Sequence, residues 1–140
     1  MLIIAFLMLS VSGFSQVDAI SKYFNRYQED TSFTVVYISP KMFKMISKLA
    51  EDEIEPEIQE VIKDLKGLRI LTTKQNGMRY YNEVTKTLNL KSYDELMTLR
   101  DGNSNVRFLI KDNGDIIEEL LLLVGSEDEF VMISFVGKID

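Results

Sequence analysis

The chain has 140 residues and a formal net charge of −6, with an apolar fraction of 46% and no histidine, cysteine or tryptophan. Without histidine or cysteine, the usual Ser-His-Asp and Cys-His active sites and thiol redox chemistry are excluded, and any zinc site would need carboxylates alone. The negative charge repels phosphate groups, so the composition argues against binding to nucleic acids or to anionic membrane surfaces.

The first fifteen residues carry no charge, and the apolar run from Leu2 to Val11 is typical of a secretion signal. Gly13 and Ser15 provide small residues before Gln16, as signal peptidase requires. We therefore expect residues 1–15 to be a removed signal peptide, and residues 16–140 to form a single periplasmic or secreted domain that is not inserted in the membrane. A signal peptide normally begins with basic residues, and none precedes Leu2. A sequence truncated upstream of Met1 therefore remains an open alternative.

Two helices and a strand are expected next. Apolar residues recur at helical spacing from Val17 to Tyr27, which predicts an amphipathic helix. The segment Phe33–Ile38 is β-branched and aromatic on both faces, which predicts a buried central strand. Ser39 and Pro40 have the form of an N-cap and a first helical residue. The buried stripe of the second helix is expected to consist of Met42, Met45, Ile46 and Leu49.

A further strand lies between the next two helices. Pro56 follows an acidic break and begins a third helix, for which Gly67 is expected to be the C-cap. Residues 68–73 (LRILTT) then read as a strand, and Asn76-Gly77 as a turn. The apolar stripes expected for the third and fourth helices are Ile58, Val61, Ile62 and Leu65, and Met78, Tyr81, Val84 and Leu88.

Four strands are expected in the last third of the chain. They cover residues 93–100, 105–111, 115–124 and 130–136, and the segments between them are rich in Asp, Asn and Gly, as tight hairpins require. Residues 92–95 also match a helix capping box, so a strand or a short helix at 92–100 remains open. The apolar run at 116–124 indicates a central strand or a docking face. The expected fold class is α+β, with N-terminal helices packed on one face of a mostly antiparallel sheet that ends in a four-stranded meander.

Three groups of residues have the side-chain types that metal binding or catalysis needs. Residues 112–115 (DNGD) resemble a fragment of a calcium loop but lack its spaced ligands, so a hairpin turn explains them better. Ser39 with Lys41 or Lys44 has the residue types of a catalytic dyad, but helix capping is the better explanation for this serine. The acidic clusters at 51–57 and 127–129 have the residue types for glycoside cleavage, although nothing in the sequence places two acids at working distance. We therefore predict no catalytic residue, cofactor or metal site.

An interaction surface is the preferred interpretation of the remaining polar and aromatic residues. Tyrosine beside arginine is typical of such surfaces, and acidic turns are solvated. The methionines offer an alternative, since flexible thioethers suit adaptable grooves, although core packing explains most of them. The residues assigned to the candidate surface are Arg79, Tyr80, Tyr93, Glu127, Asp128 and Glu129.

Four motifs carry a family resemblance: SPKMF after a buried strand, LKGLRIL, YDELMTLRDG, and the ending ELLLLVGSEDEFVMISFVGKID. Together they resemble a family of short exported proteins from Bacteroidetes, catalogued as domain of unknown function 4252. The resemblance implies export and supplies no activity; the proximity of family genes to sigma and anti-sigma factor genes implies envelope-stress signalling. Some members resemble lipoproteins, from which this chain departs in lacking cysteine. The ending matches the family pattern at Gly125, Phe130, Ile133, Ser134, Gly137, Ile139 and Asp140.

Three functions follow as hypotheses. The first is a non-catalytic binding or accessory protein of the cell envelope that presents a sheet face or a helix edge to an envelope protein partner. The second is a carboxylate-dependent hydrolase acting on envelope glycans, with two acids roughly 5 to 9.5 Å apart. The third is a structural homodimer formed through an exposed sheet face or edge.

Overall fold

Residues 16–139 form a six-stranded antiparallel sheet with four α-helices. The computed structural model describes the backbone of residues 16–139 and the side chains of residues 19–138, so the expected signal segment at 1–15 lies outside the described residues. This architecture confirms the α+β class. The elements are α1 (Gln16–Arg26), β1 (Phe33–Ile38), α2 (Pro40–Leu49), α3 (Pro56–Lys63), β2 (Leu65–Thr73), α4 (Gly77–Thr87), β3 (Asp94–Asp101), β4 (Ser104–Asp112), β5 (Ile117–Gly125) and β6 (Phe130–Ile139).

The strand order across the sheet is β1-β2-β6-β5-β4-β3. Strands β3 to β6 are consecutive neighbours, which is the expected four-stranded meander, and β2 and β1 extend the sheet beyond β6. Strand β1 therefore lies at an edge, and its prediction as a central strand is wrong. Its apolar character on both faces has another cause, because Val36 and Ile38 lie on the face of the sheet opposite the core.

The segment at 92–100 is a strand from Asp94 onward. A short 3₁₀ turn, Leu90–Ser92, precedes it, and the Asn89 side chain caps this turn by accepting a hydrogen bond from the Lys91 amide at 3.3 Å. The cap thus lies before the serine of the apparent capping box, and the chain is already extended at Tyr93. The helical alternative for this segment is excluded.

One face of the sheet forms the core beneath α1 and α4. The side chains of Leu71, Leu121, Leu123 and Met132 point to this face and are 0% exposed. Burying a leucine or methionine side chain stabilises a fold by about 1.5–3 kcal/mol. The core therefore rests on the strands β2, β5 and β6 and on the two helices that cover them. From α1, α4 and the C-cap of α4, the core contains Ile20, Tyr23, Phe24, Tyr81, Val84 and Leu88.

Helix α2 is oriented differently from its prediction. It begins at Pro40 with Ser39 as the N-cap, whose Oγ accepts a hydrogen bond from the Met42 amide at 3.1 Å. Its buried residues are Phe43 and Ser47, whereas Met42, Met45 and Leu49 are exposed. The expected buried stripe is wrong because α2 packs on α3 and β2 through the neighbouring side of the helix, where the Ser47 hydroxyl donates to Gln59 Oε1 at 2.8 Å.

Helix α3 ends earlier than expected. Its last residue is Lys63, Asp64 is the C-cap, and β2 already starts at Leu65, so Gly67 is a strand residue rather than a helix cap. Leu65 is buried as part of β2, while Ile58 and Val61 remain exposed on α3. Leu65 therefore does not belong to the stripe of α3, and a register shift in the β2–β6 pairing lies between Leu65 and Gly67.

Candidate functional site

A buried carboxyl group lies beneath the helices on the core face. Glu119 of β5 is 2% exposed, and its Oε2 accepts a hydrogen bond from the Tyr93 hydroxyl at 2.7 Å. Within the described residues, its Oε1 and the nearby buried Ser134 Oγ have no hydrogen-bond partner. Burial raises the pKa of the Glu119 carboxyl, and it likewise raises the pKa of the Tyr93 phenol, which the bond to Glu119 raises further.

Tyr93 therefore does not belong to an exposed surface. Its side chain is 6% exposed, and its hydroxyl is committed to Glu119. Tyr80 is half-buried, with its ring edge-on to Phe33 at 4.9 Å and to Tyr27 at 5.4 Å. Both tyrosines contribute to core packing, because the Tyr93 ring lies in the core and the Tyr80 ring packs against it.

Arg79 and the acidic turn are brought together. Residues Glu127, Asp128 and Glu129 are exposed in the turn between β5 and β6, and the Glu127 carbonyl accepts a hydrogen bond from the Gly77 amide at 3.2 Å. The turn thus lies at the N-terminus of α4, where the helix dipole favours negative charge. Arg79 is exposed, and with Glu127 it lines a groove of about 580 Å³, which also includes Asn76, Met78, Arg100, Gly102, Asn103 and Asn105.

A second polar cluster joins α1 to α4 and was not found from the sequence. The Tyr27 hydroxyl is hydrogen-bonded to Glu83, and the Arg26 guanidinium lies 3.6 Å from the same carboxylate. Burial raises the pKa of Tyr27, and so does its bond to Glu83. Glu83 faces away from the apolar stripe of α4, so only the docking of α1 reveals its role.

The opposite face of the sheet is largely apolar, and all six strands contribute apolar residues to it. Its central ladder of paired residues is Val36, Ile70, Ile133, Leu122, Phe108 and Met97, one from each strand in spatial order. The two flanking ladders are Thr34, Thr72, Val131, Val124, Val106 and Leu99, and Ile38, Leu68, Phe135, Leu120, Ile110 and Asp94. We call these three ladders the open face.

The open face is less buried than the core face. Ile110 is its one buried residue, whereas Leu122 and Ile133, at the centre of the sheet, are half-buried. Their neighbours on the core face, Leu121 and Met132, are 0% exposed. Strand β1 contributes Val36 and Ile38 to this face, which explains why its sequence resembles that of a central strand.

The candidate chemical motifs have structural explanations. Residues 112–115 form a hairpin turn in which the Asn113 side chain accepts a hydrogen bond from the Ile116 amide at 3.3 Å, and Ser39 caps α2. Within residues 16–139, no group of three or more acidic residues is placed to hold a metal ion. Over the same residues, no helix is both long enough and apolar enough to cross a membrane.

Comparison with known proteins places the chain in a family. The family model of a domain of unknown function, DUF4252, matches residues 27–140. The chain belongs to the DUF4252 family. No curated protein and no solved structure matches it.

The match to DUF4252 begins at residue 27, directly after α1. It thus contains the whole sheet and the open face, whereas α1 precedes it. In this DUF4252 chain, α1 nevertheless contributes Ile20, Tyr23 and Phe24 to the core. The apolar run at 116–124 was the sequence signal for this arrangement, because β5 lies inside the sheet and has apolar residues on both faces. Glu119 is the one charged residue among the inward-facing residues of β5.

Proposed function

We propose that this protein is a non-catalytic binding or accessory protein of the cell envelope that docks on a protein partner through its open face. The observation that carries this proposal is the contrast between the two faces, since both are largely apolar, whereas the core residues beneath α1 and α4 are buried and the ladder residues of the open face, except Ile110, are half-buried or exposed. Soluble monomers rarely expose contiguous apolar patches larger than a few hundred Å². A face of this extent is therefore expected to be covered in the functional state.

The location in the envelope rests on the uncharged apolar start of the chain and on the resemblance to exported Bacteroidetes proteins. The same resemblance supports a link to envelope-stress signalling. The hydrolase alternative rests on the acidic clusters alone and remains an untested prediction. The candidate groove beside Arg79 and Glu127 is a second, more polar surface that a partner would contact at the end of the sheet.

The proposal is tested by capture in the host cell with a charge placed on the open face. Leu122→Lys introduces an ammonium group at the centre of the central ladder, and Asn82→Lys introduces the same group at an exposed position of α4. Cross-linking of tagged full-length protein, followed by mass spectrometry, should recover the same partner with the wild type and Asn82→Lys, and lose it with Leu122→Lys. Equal capture by all three would exclude the open face as the docking surface.

A further inference from the structure

We propose that the partner on the open face is a second copy of this chain, packed face to face about a two-fold axis. This inference rests on the proposed function, because it names the occupant of the same surface. Two sheets that pack in this way lie about 10 Å apart with their inner side chains interdigitated. The dimer would be a two-layered β-sandwich whose helices α1 and α4 cover the outer faces.

The size of the open face is close to what a dimer needs. Six strands spaced about 4.8 Å apart give a width of roughly 29 Å, and three ladders, two residues apart along each strand, give a height of roughly 20 Å. The footprint is thus about 600 Å² before the relief of the side chains is counted, against about 800 Å² per partner in a standard interface. Within this footprint, Met97 and Leu99 of the edge strand β3 are exposed.

The charge distribution favours self-association through this face. Of the three ladders, only the edge residue Asp94 is charged, although the whole chain carries a net charge of −6. Two copies therefore repel each other through their other surfaces, while the open faces meet without opposing like charges. The charged residues Lys74 and Glu129 lie just beyond one end of the ladders, and Lys66 and Lys138 beyond the other, so that a polar rim surrounds an apolar centre.

The residue types also favour a second copy over a different protein. The three ladders contain no tyrosine, tryptophan or arginine, the residues that dominate binding energy in interfaces between different proteins. Their leucine, isoleucine, valine and phenylalanine side chains instead resemble a protein core cut in half, which is typical of obligate homodimers.

The first experiment measures the oligomeric state of protein purified after expression of the full 140-residue chain. Sedimentation equilibrium should show a dimer for the wild type and for Asn82→Lys. Leu122→Lys should raise the dimer dissociation constant by at least roughly a hundredfold, because it buries an unpaired charge. Should Leu122→Lys fail to fold by circular dichroism, Thr72→Lys places the same charge at a half-buried position of the same face.

Site-directed cross-linking then tests the geometry. The chain contains no cysteine, so a single introduced cysteine is the only thiol. With a short bismaleimide, Ile133→Cys at the centre of the open face should cross-link to itself. Lys86→Cys, exposed on α4, should not cross-link at the same protein concentration.

The outcomes separate this inference from the proposed function. A monomeric wild type at high concentration, together with a different protein captured in a manner sensitive to Leu122→Lys, overturns the second-copy inference and leaves the docking function standing. A monomer whose capture is insensitive to Leu122→Lys overturns both. A dimer that persists in Leu122→Lys and cross-links through Lys86→Cys uses another surface and also overturns the inference.

Discussion

Glycine at position 77 allows α4 to approach the turn between β5 and β6. A Cβ atom at this position would lie 2.0 Å from the Ser126 carbonyl oxygen and 2.1 Å from the Glu129 carbonyl oxygen. Both neighbours are backbone atoms, which cannot rotate away as a flexible side chain does. The preceding Asn76 has a φ of 51°, a left-handed conformation that asparagine tolerates better than most residues. The Asn-Gly pair is thus required for a contact as well as for a turn.

Gly77→Ala is therefore expected to lower the free energy of unfolding by roughly 2–3 kcal/mol, because the turn and the helix must separate. Urea denaturation followed by circular dichroism measures the effect. Gly67→Ala is the matched control, since a Cβ there would lie 3.8 Å from the Ile38 carbonyl oxygen, an ordinary contact. The control should change stability by less than about 0.5 kcal/mol. Equal effects of the two substitutions would contradict the close approach.

Glu119 makes stability depend on pH in a defined direction. Burial raises its pKa above the ordinary value of 4.5, so between 4.5 and the raised value the folded state binds more protons than the unfolded state. The contribution of this carboxyl to stability therefore falls as the pH rises through that window. Glu119→Gln retains an acceptor for the Tyr93 hydroxyl and removes the titration.

Relative to the wild type, the free energy of unfolding of Glu119→Gln should increase as the pH is raised from about 4 to 7. Thermal unfolding at several pH values measures this trend. Glu118→Gln, the exposed neighbour on the same strand, should show a smaller dependence. A difference for Glu119→Gln that does not vary with pH would show that the carboxyl titrates normally.

At the level of elements, α1 is attached to α4 by a polar bond at the rim and by aromatic packing beneath it. Tyr27 bonds to Glu83, and its ring stacks on Phe33 with the centroids 4.7 Å apart. Because the family match begins at residue 27, this joint connects the preceding helix to the part of the chain that DUF4252 covers. The joint explains how α1 is held against the sheet although α1 is far from α4 in sequence.

A double-mutant cycle with Tyr27→Phe and Glu83→Gln should give a coupling energy of about 1–2 kcal/mol, as expected for a hydrogen bond to a charged group that is partly exposed. Unfolding free energies of the four proteins measure it. The cycle of Tyr27→Phe with Glu60→Gln serves as the control, since Glu60 lies on α3 and pairs with Lys63. Coupling in the control cycle equal to that of the first would show that Tyr27→Phe acts through general destabilisation.

At the level of the whole molecule, the net charge of −6 opposes any self-association. Contact between apolar faces is insensitive to moderate salt, whereas repulsion between two copies is screened as the Debye length shortens. Raising the NaCl concentration from about 0.01 M to about 0.15 M should therefore strengthen the proposed dimer severalfold. Sedimentation equilibrium at both concentrations provides the comparison. A dimer that weakens with salt would instead be held by ion pairs.

Much of the architecture follows from local sequence pattern. Turn residues at 101–103, 112–114 and 126–128 mark the hairpins of the meander, and the apolar stripe containing Tyr81 and Val84 identifies α4, because both signals depend only on neighbouring residues. The order of helices and strands was sufficient for the α+β class. The family was also recognisable from the motifs, in agreement with the match to DUF4252.

Which apolar surfaces are covered was decided by the tertiary structure alone. Periodicity shows that Leu121 and Leu122 lie on opposite faces of β5, but the position of α1 and α4 determines that the first is buried and the second is accessible. Long-range packing and strand pairing likewise determine that the methionines of α2 are exposed, that β1 lies at the edge of the sheet and that Tyr93 is buried. The sequence by itself determined the elements and their apolar faces, while long-range packing selected which of those faces became the core and which one remained only partly buried.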